Sequence, residues 1–313
     1  MVTSPAFLRF SKTILVWVFL VIIAGAVVRM TQSGMGCPDW PRCFGKWVPP
    51  TNAKELPPDF EKYLKQQDID HTFNVYHTWT EYINRLVGAL LGLLLLVQFV
   101  WAIKLFWKTN RKIVGFSAAI LLLTGFQGWL GKRVVDANLA SAKISTHMIV
   151  ALLIAALALT IIHLQSVKIN MVNKKLSNIS LLAIALVTLQ IIFGTNVREQ
   201  IDVISKALDY GGRQFWIEKL DITFYIHRSF SIVVAAACFY TVFQFKKAGI
   251  KLFSSRLIIF CVVGEILLGV ILTYLNIPAA AQPLHLLLSS LLFVALYNNW
   301  LQSSVSLNGK RNL

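Results

Sequence analysis

Six histidines are present, and four of them, His77, His147, His227 and His285, recur at or near one end of alternate apolar segments. A lone imidazole at a helix end is commonplace. Four at matching depth make a different case, because ionisable groups in apolar surroundings mark functional sites by default. Imidazole is an axial ligand of heme iron, and helical bundles build cofactor sites from side chains on facing helices. Two imidazoles from two helices would clamp one porphyrin, and two such pairs would make two sites. Arginines stand where porphyrin propionates would need them. Arg228 follows His227, Arg85 follows Asn84, and Arg29 and Arg198 occupy matching places in two segments. A guanidinium fork pairs with carboxylates; the competing role is to anchor helix ends at lipid headgroups. His163 and His71 fall outside the pattern and read as a structural and a loop residue.

Sulfur chemistry is confined to two places. The stretch Cys37-Pro-Asp-Trp-Pro-Arg-Cys43 brings two thiols within reach across a proline-stiffened loop. In an oxidising space a disulfide persists, and two readings stand: a structural staple, or a redox-active pair. Cys238 and Cys261 lie inside apolar segments and read as inert core thiols.

The elements that must position these groups are membrane spans. A helix needs about 20 mostly apolar residues to cross a bilayer. Eight segments qualify, at roughly 12–30, 82–103, 113–131, 143–165, 178–196, 222–245, 255–275 and 283–302. The first lacks a small-x-small cleavage site and is expected to remain as a span. Overall composition agrees: 56% of residues are hydrophobic and 14% charged, against about 25% charged in soluble domains. Twenty Phe, nine Trp and eight Tyr exclude a disordered chain. The net charge of +16 would suit nucleic acid on its own, but not in a chain made mostly of apolar runs. It suits basic residues gathered at one membrane face. Arg9, Lys12, Lys104, Lys108, Arg111, Lys112, Lys168, Lys174, Lys175, Lys246, Lys247, Lys251, Arg256, Lys310 and Arg311 fall on one set of connections, which holds no acid. That set should be cytoplasmic, with both termini inside and the loops 31–81 and 197–221 outside.

An internal repeat links the spans. Gly25-Ala-Val-Val-Arg29 is matched by Gly194-Thr-Asn-Val-Arg198, and the motif Gln127-x-x-x-Gly131 by Gln190-x-x-x-Gly194 and Glu265-x-x-x-Gly269. Gly131 precedes His147 by the interval at which Gly269 precedes His285. The expected fold is therefore all-α and integral to the membrane. Eight helices would form two tandem four-helix bundles, 1–166 and 167–313, related as a parallel repeat about a pseudo-two-fold axis. Each odd span would end just past its glycine, and these small residues would let helices approach closely. Glu265, matched by Gln127 and Gln190, reads as an interhelical hydrogen-bonding residue.

The residues reached so far resemble the heme A synthase family. The resemblance is carried by Arg29-Met-Thr-Gln-Ser-Gly-Met-Gly-Cys-Pro-Asp-Trp-Pro-Arg-Cys43, Glu81-Tyr-Ile-Asn-Arg85 with Gly88, Thr146-His147, Ile226-His227-Arg228 and Pro283-Leu-His285. It covers essentially the whole chain. It implies a membrane oxidoreductase that turns heme O into heme A, oxidising the C8 methyl to a formyl group by successive hydroxylations with water as oxygen source. It also implies a heme b held by His227 and His285 in the second half. The substrate heme would lie in the first half, with ligands at His147 and the position of Asn84, and with Glu81 in the chemistry. Asn84 departs from the family pattern, which has histidine there. His77 lies seven residues earlier, on the same helical face but about 10 Å higher. Either His77 supplies the second ligand from a shifted position, or His147 binds alone; the sequence favours the single ligand slightly. Glu81 is assigned proton acceptance or charge stabilisation at the methyl carbon, against a plain helix-dipole role near an N-terminus.

The implied partners are a heme O synthase as donor, the cytochrome oxidase assembly machinery, an unidentified electron acceptor and the lipid bilayer. Nucleic acid is not among them, and a homo-oligomer is compatible with the sequence. A bacterial plasma membrane with the active side outward is the expected setting. Two rivals share some features. A di-heme cytochrome b moving electrons would have similar spans and histidines, but gives no reason for the Cys37/Cys43 loop and Glu81. A transporter would suit the repeat, but predicts broken helices and no heme.

Overall fold

The computed structural model describes residues 4–66, 73–135, 141–166, 172–209 and 211–304; His71, Lys168, Lys310 and Arg311 lie outside them. The described residues form nine α-helices: α1 (Pro5–Met30), α2 (Glu61–Gln66), α3 (Val75–Phe106), α4 (Arg111–Val135), α5 (Ser141–Gln165), α6 (Lys174–Ala207), α7 (Ile222–Lys247), α8 (Phe253–Tyr274) and α9 (Ala281–Ser304). All but the short α2 are long and apolar enough to cross a membrane, eight in number. The chain is thus an all-helical, multi-pass membrane protein.

Local sequence explains most helix ends. Ser4 caps α1, its side chain accepting from the Phe7 N–H, with Pro5 in the first turn where its missing N–H costs nothing. Asn74 caps α3 by accepting from the Tyr76 and His77 N–H groups. Asp221 caps α7 through the Thr223 N–H at 2.7 Å and exchanges two hydrogen bonds with the Gln200 side chain. Those bonds, from Gln200 first and then Thr223, hold its carboxyl below the ordinary aspartate value of 3.8.

Most helices exceed the spans expected from hydropathy, α3 and α6 by the most. α3 starts at Val75 rather than near 82, and α6 runs to Ala207 rather than near 196. At 1.5 Å per residue, the 34 residues of α6 extend about 50 Å, well beyond a hydrocarbon core of about 30 Å. The excess is held by its own apolar stripe. Val197, Ile201, Ile204 and Leu208 recur at helical spacing and pack with Trp216, Leu220, Phe224 and Ile277. The expectation that each odd span ends just past its glycine holds for α1, α4 and α8 and fails for α6, which continues from Gly194 to Ala207.

The spanning helices pack as two rings. In the first, α1 contacts α3, α3 contacts α4, α4 contacts α5, and α5 closes back on α1; in the second, α6, α7, α8 and α9 repeat that order. α3 and α5 are therefore diagonal in one ring, as are α7 and α9 in the other. The seam between rings is made by α5 and α9 with each other, by α1 with α9 and by α5 with α6. Each ring has its own apolar core, and each core borrows across the seam. Val294 of α9 joins the core of Ile14, Leu95, Ile120 and Ile161. Met148 and Leu152 of α5 join that of Val187, Cys238, Ile258 and Leu296.

All described histidines but His163 lie toward the face that carries the two long connections. The described basic residues of the acid-free set cluster at the opposite helix ends, such as Arg9 and Lys12 on α1, Lys174 and Lys175 on α6, and Lys246 and Lys247 on α7.

Candidate heme-binding site

The second ring brings two imidazoles together. His227 on α7 and His285 on α9 have ring centroids 6.5 Å apart with planes at 79°. They meet across the ring's diagonal, in its interior. Two imidazoles that share one metal ion at ~2 Å from nitrogen have centroids roughly 6 Å apart, so the spacing suits a single iron between them. His227 Nδ1 is buried without a hydrogen-bond partner. Such an orphan calls for an explanation in a ligand or water. Glu265 on α8 reaches the other ring, with its Oε2 2.9 Å from His285 Nδ1. The contact is short, but lacks the alignment of a regular hydrogen bond.

Glycines make room for the imidazoles. A methyl group built on Gly194 of α6 would sit 3.0 Å from His227 Cε1, and one on Gly131 of α4 3.5 Å from His147 Cε1. The expected close approach of helices is not what these glycines provide: at Gly131 and Gly194 the nearest atoms are those of the ring, for which they open a slot, and at Gly25 and Gly269 nothing lies within 4 Å. Beside each slot a glutamine ties the helices. Gln127 Nε2 donates to the His147 carbonyl at 2.7 Å, and Gln190 Nε2 to the His227 carbonyl at 3.0 Å. This is the interhelical bonding expected of those positions, with Glu265 contacting a side chain instead.

In the first ring His147 stands on α5, its Nδ1 buried and unpartnered, diagonally across from α3. That helix carries His77, Glu81, Asn84 and Arg85. His77 lies in the first turn of α3, so the helical extension that a shifted ligand needs is present. Glu81 is buried, with a side-chain exposure of 5%, and it faces the Cys loop. Its Oε2 accepts the Cys37 N–H at 2.7 Å, and its Oε1 pairs with Arg85. Arg85 in turn donates to the carbonyls of Asp39, Arg42 and Cys37. These contacts, with two to Glu81, engage all three guanidinium nitrogens. Arg85 is therefore turned to the loop and the catalytic candidate, where the sequence reading had placed it toward a propionate.

Cys37 and Cys43 form a disulfide with Cα atoms 4.9 Å apart. The two cysteines and Pro38 are buried while Trp40, Pro41 and Arg42 at the loop's tip are exposed, and Phe44 next to the bridge packs with Phe60, Tyr63 and Phe73. Gly36 touches the backbone of α3 so closely that a Cβ there would collide with the His77 carbonyl. Cys238 and Cys261 are buried free thiols in the second core.

The matched arginines meet at the seam. Arg29 Nη2 lies 3.0 Å from Asp202 Oδ2, and Arg198 Nη1 2.9 Å from Asp202 Oδ1. Arg198 Nη2 also donates to the Arg29 carbonyl, and Gln32 reaches Asp202. Two cations share one anion, which leaves a net positive charge. Asp202 escaped the sequence reading; its only signal there is the i,i+4 spacing from Arg198. Arg228 is exposed and lies over the rings of Phe224 and Tyr225.

Comparison with known proteins decides the family. Residues 9–297 match the family described as Cytochrome oxidase assembly protein (COX15-CtaA). The chain belongs to this family. Relatives named Heme A synthase include one from Shewanella oneidensis, 35% identical over 43% of this chain and 38% of its own length. Another, from Rhodospirillum centenum, is 31% identical over 45% of this chain and 41% of its own length. The matches thus span about two fifths of those two relatives. One from Ehrlichia canis is 25% identical over 88% of this chain and 87% of its own length. Two imidazoles on diagonal helices, at a spacing that suits one iron and beside a glycine slot, fit an iron porphyrin.

Proposed function

We propose that this membrane protein oxidises heme O to heme A, converting the C8 methyl of the porphyrin to a formyl group by successive hydroxylations with water as oxygen source, the electrons removed from the methyl carbon passing to a separate electron acceptor. The observation that carries the reading is the unequal equipment of the two rings. The second presents the pair His227/His285, suited to a resident heme b that would supply one-electron transfer when bound. The first presents His147 opposite a helix that bears Asn84 instead of histidine and a carboxylate at Glu81. A site with fewer strong ligands suits a substrate that must enter and leave. The name Heme A synthase borne by the relatives supports the same assignment.

The chain's own residues then divide the work. His147 binds the substrate iron, with His77 as the candidate second ligand. Glu81 takes up a proton released at the methyl carbon. Arg85, itself fixed by three loop carbonyls, holds the Glu81 carboxylate in place, and the disulfide loop holds both. Arg29 and Arg198, with one positive charge in excess, and the exposed Arg228 are the groups to pair with propionates. The two rings act as two halves, 1–166 and 167–313, their matching order of contacts supporting a tandem repeat. The acid-free basic end faces the cytoplasm of a bacterial plasma membrane, which puts the sites on the outer side. A heme O synthase would deliver substrate, and cytochrome oxidase assembly would receive the product.

Co-expression with a heme O synthase, followed by mass analysis of extracted heme, tests the reading. Formylated heme is expected; heme b alone would point to a di-heme cytochrome b instead. Glu81→Gln keeps the size and the Cys37 contact. It should retain bound heme and lose most formyl formation, and a wild-type yield of heme A would remove Glu81 from the chemistry.

A further inference from the structure

The two imidazoles of the second ring are unequally supported. His285 Nδ1 has the Glu265 carboxylate at 2.9 Å, whereas His227 Nδ1 is buried with no partner. His147 Nδ1 is likewise orphaned. The three matched positions Gln127, Gln190 and Glu265 thus behave differently. Both glutamines spend their amide on a backbone carbonyl of a histidine, and the glutamate alone of the three reaches a ring. Its place on α8, next to α9, is that of an interhelical tie, yet the atom it approaches is a ring nitrogen, His285 Nδ1, which leaves Nε2 as the ring's other metal-binding nitrogen.

We propose that Glu265 is the positioning residue of His285. Its carboxylate engages the Nδ1–H and fixes the tautomer in which Nε2 carries the lone pair. It thereby makes His285 the more electron-donating of two unlike axial ligands. A carboxylate behind a ligating histidine orients the ring and raises its basicity. Stronger donation stabilises the ferric over the ferrous state. The contact lacks full alignment here, and such bonds commonly tighten once the site is filled. The inference rests on reading His227 and His285 as heme ligands, and it adds a bias in potential to that site.

The test compares purified, heme-loaded wild type with Glu265→Gln. The amide keeps the volume and the tie between α8 and α9, and loses the charge. Spectroelectrochemistry should show the ferric/ferrous equilibrium of the six-coordinate heme displaced about tenfold toward ferrous, an upward shift of ~59 mV for one electron. The ferric EPR g-values should move with it. An unchanged potential and unchanged EPR spectrum in a normally loaded variant would overturn the proposal and leave Glu265 as a tie alone. Should the variant fail to accumulate, wild-type protein with carbon-13-labelled glutamate gives the second measurement. Its oxidised-minus-reduced infrared spectrum should contain a glutamate carboxylate band, and the absence of that band overturns the proposal. Wild type that lacks six-coordinate, low-spin heme would overturn the ligand assignment itself, a result distinct from either failure above.

Discussion

A single methyl group is enough to separate the roles of the two histidine slots. Against Gly194 the His227 ring lies so close that a Cβ would stand 3.0 Å away, while at Gly131 the His147 ring leaves 3.5 Å. The first is tighter than ordinary contact and the second is not. Overpacking a filled interior costs about 1–3 kcal/mol, and here the atom that must give way belongs to the ring of the proposed ligand His227. Gly194→Ala should therefore lower the heme content of purified protein and broaden its low-spin spectrum. Gly131→Ala should bind heme as wild type does. Equal loss in both variants would show that clearance to the ring does not separate the two glycines.

At the scale of elements, α3 decides what the first ring can do. Its N-terminus at Val75 is fixed by the Asn74 cap and by Gly36 packed on its first turn. His77 is thereby placed on the helix about 10 Å above Asn84. If His77 ligates the substrate iron, His77→Ala loaded with heme O should turn from low-spin to high-spin in optical and EPR spectra. An unchanged low-spin signal would exclude it. The extension was hard to read in sequence because hydropathy reports only the stretch in lipid, and Tyr76, His77 and Glu81 interrupt it. The extra turns of α6 are legible in sequence by a different signal, since Val197, Ile201, Ile204 and Leu208 form a clear helical stripe. The eight spans themselves were plain, because runs of about 20 apolar residues leave few alternatives. The partners of the arginines were not. Nothing in the spacing of Arg85 points to carbonyls of a loop more than forty residues earlier, and Asp202 joins Arg29 only through the fold.

For the whole molecule, the seam matters more than either ring. α5 and α9 lend side chains to both cores, so a lesion in one half reaches the other. Leu152 is 1% exposed and belongs by sequence to the first half and by packing to the second core. Leu152→Ala should cost about 2–5 kcal/mol. It should also lower heme occupancy at His227/His285 although no residue of that site has changed. A loss confined to the first half would argue for two independent bundles.

Val294, packed among residues of the first core, bears on how the protein is made. It rides on α9, the last helix of the described chain to leave the ribosome. The early half must wait in the bilayer with a gap in its packing while four further passes of membrane insertion are completed. Chains of this size fold through populated intermediates with exposed apolar surface, and here that surface faces lipid, which can cover it. A nascent chain that stops before α9 should thus remain inserted yet loosely packed, and open to membrane proteases until the final helix closes the second ring and completes the first core.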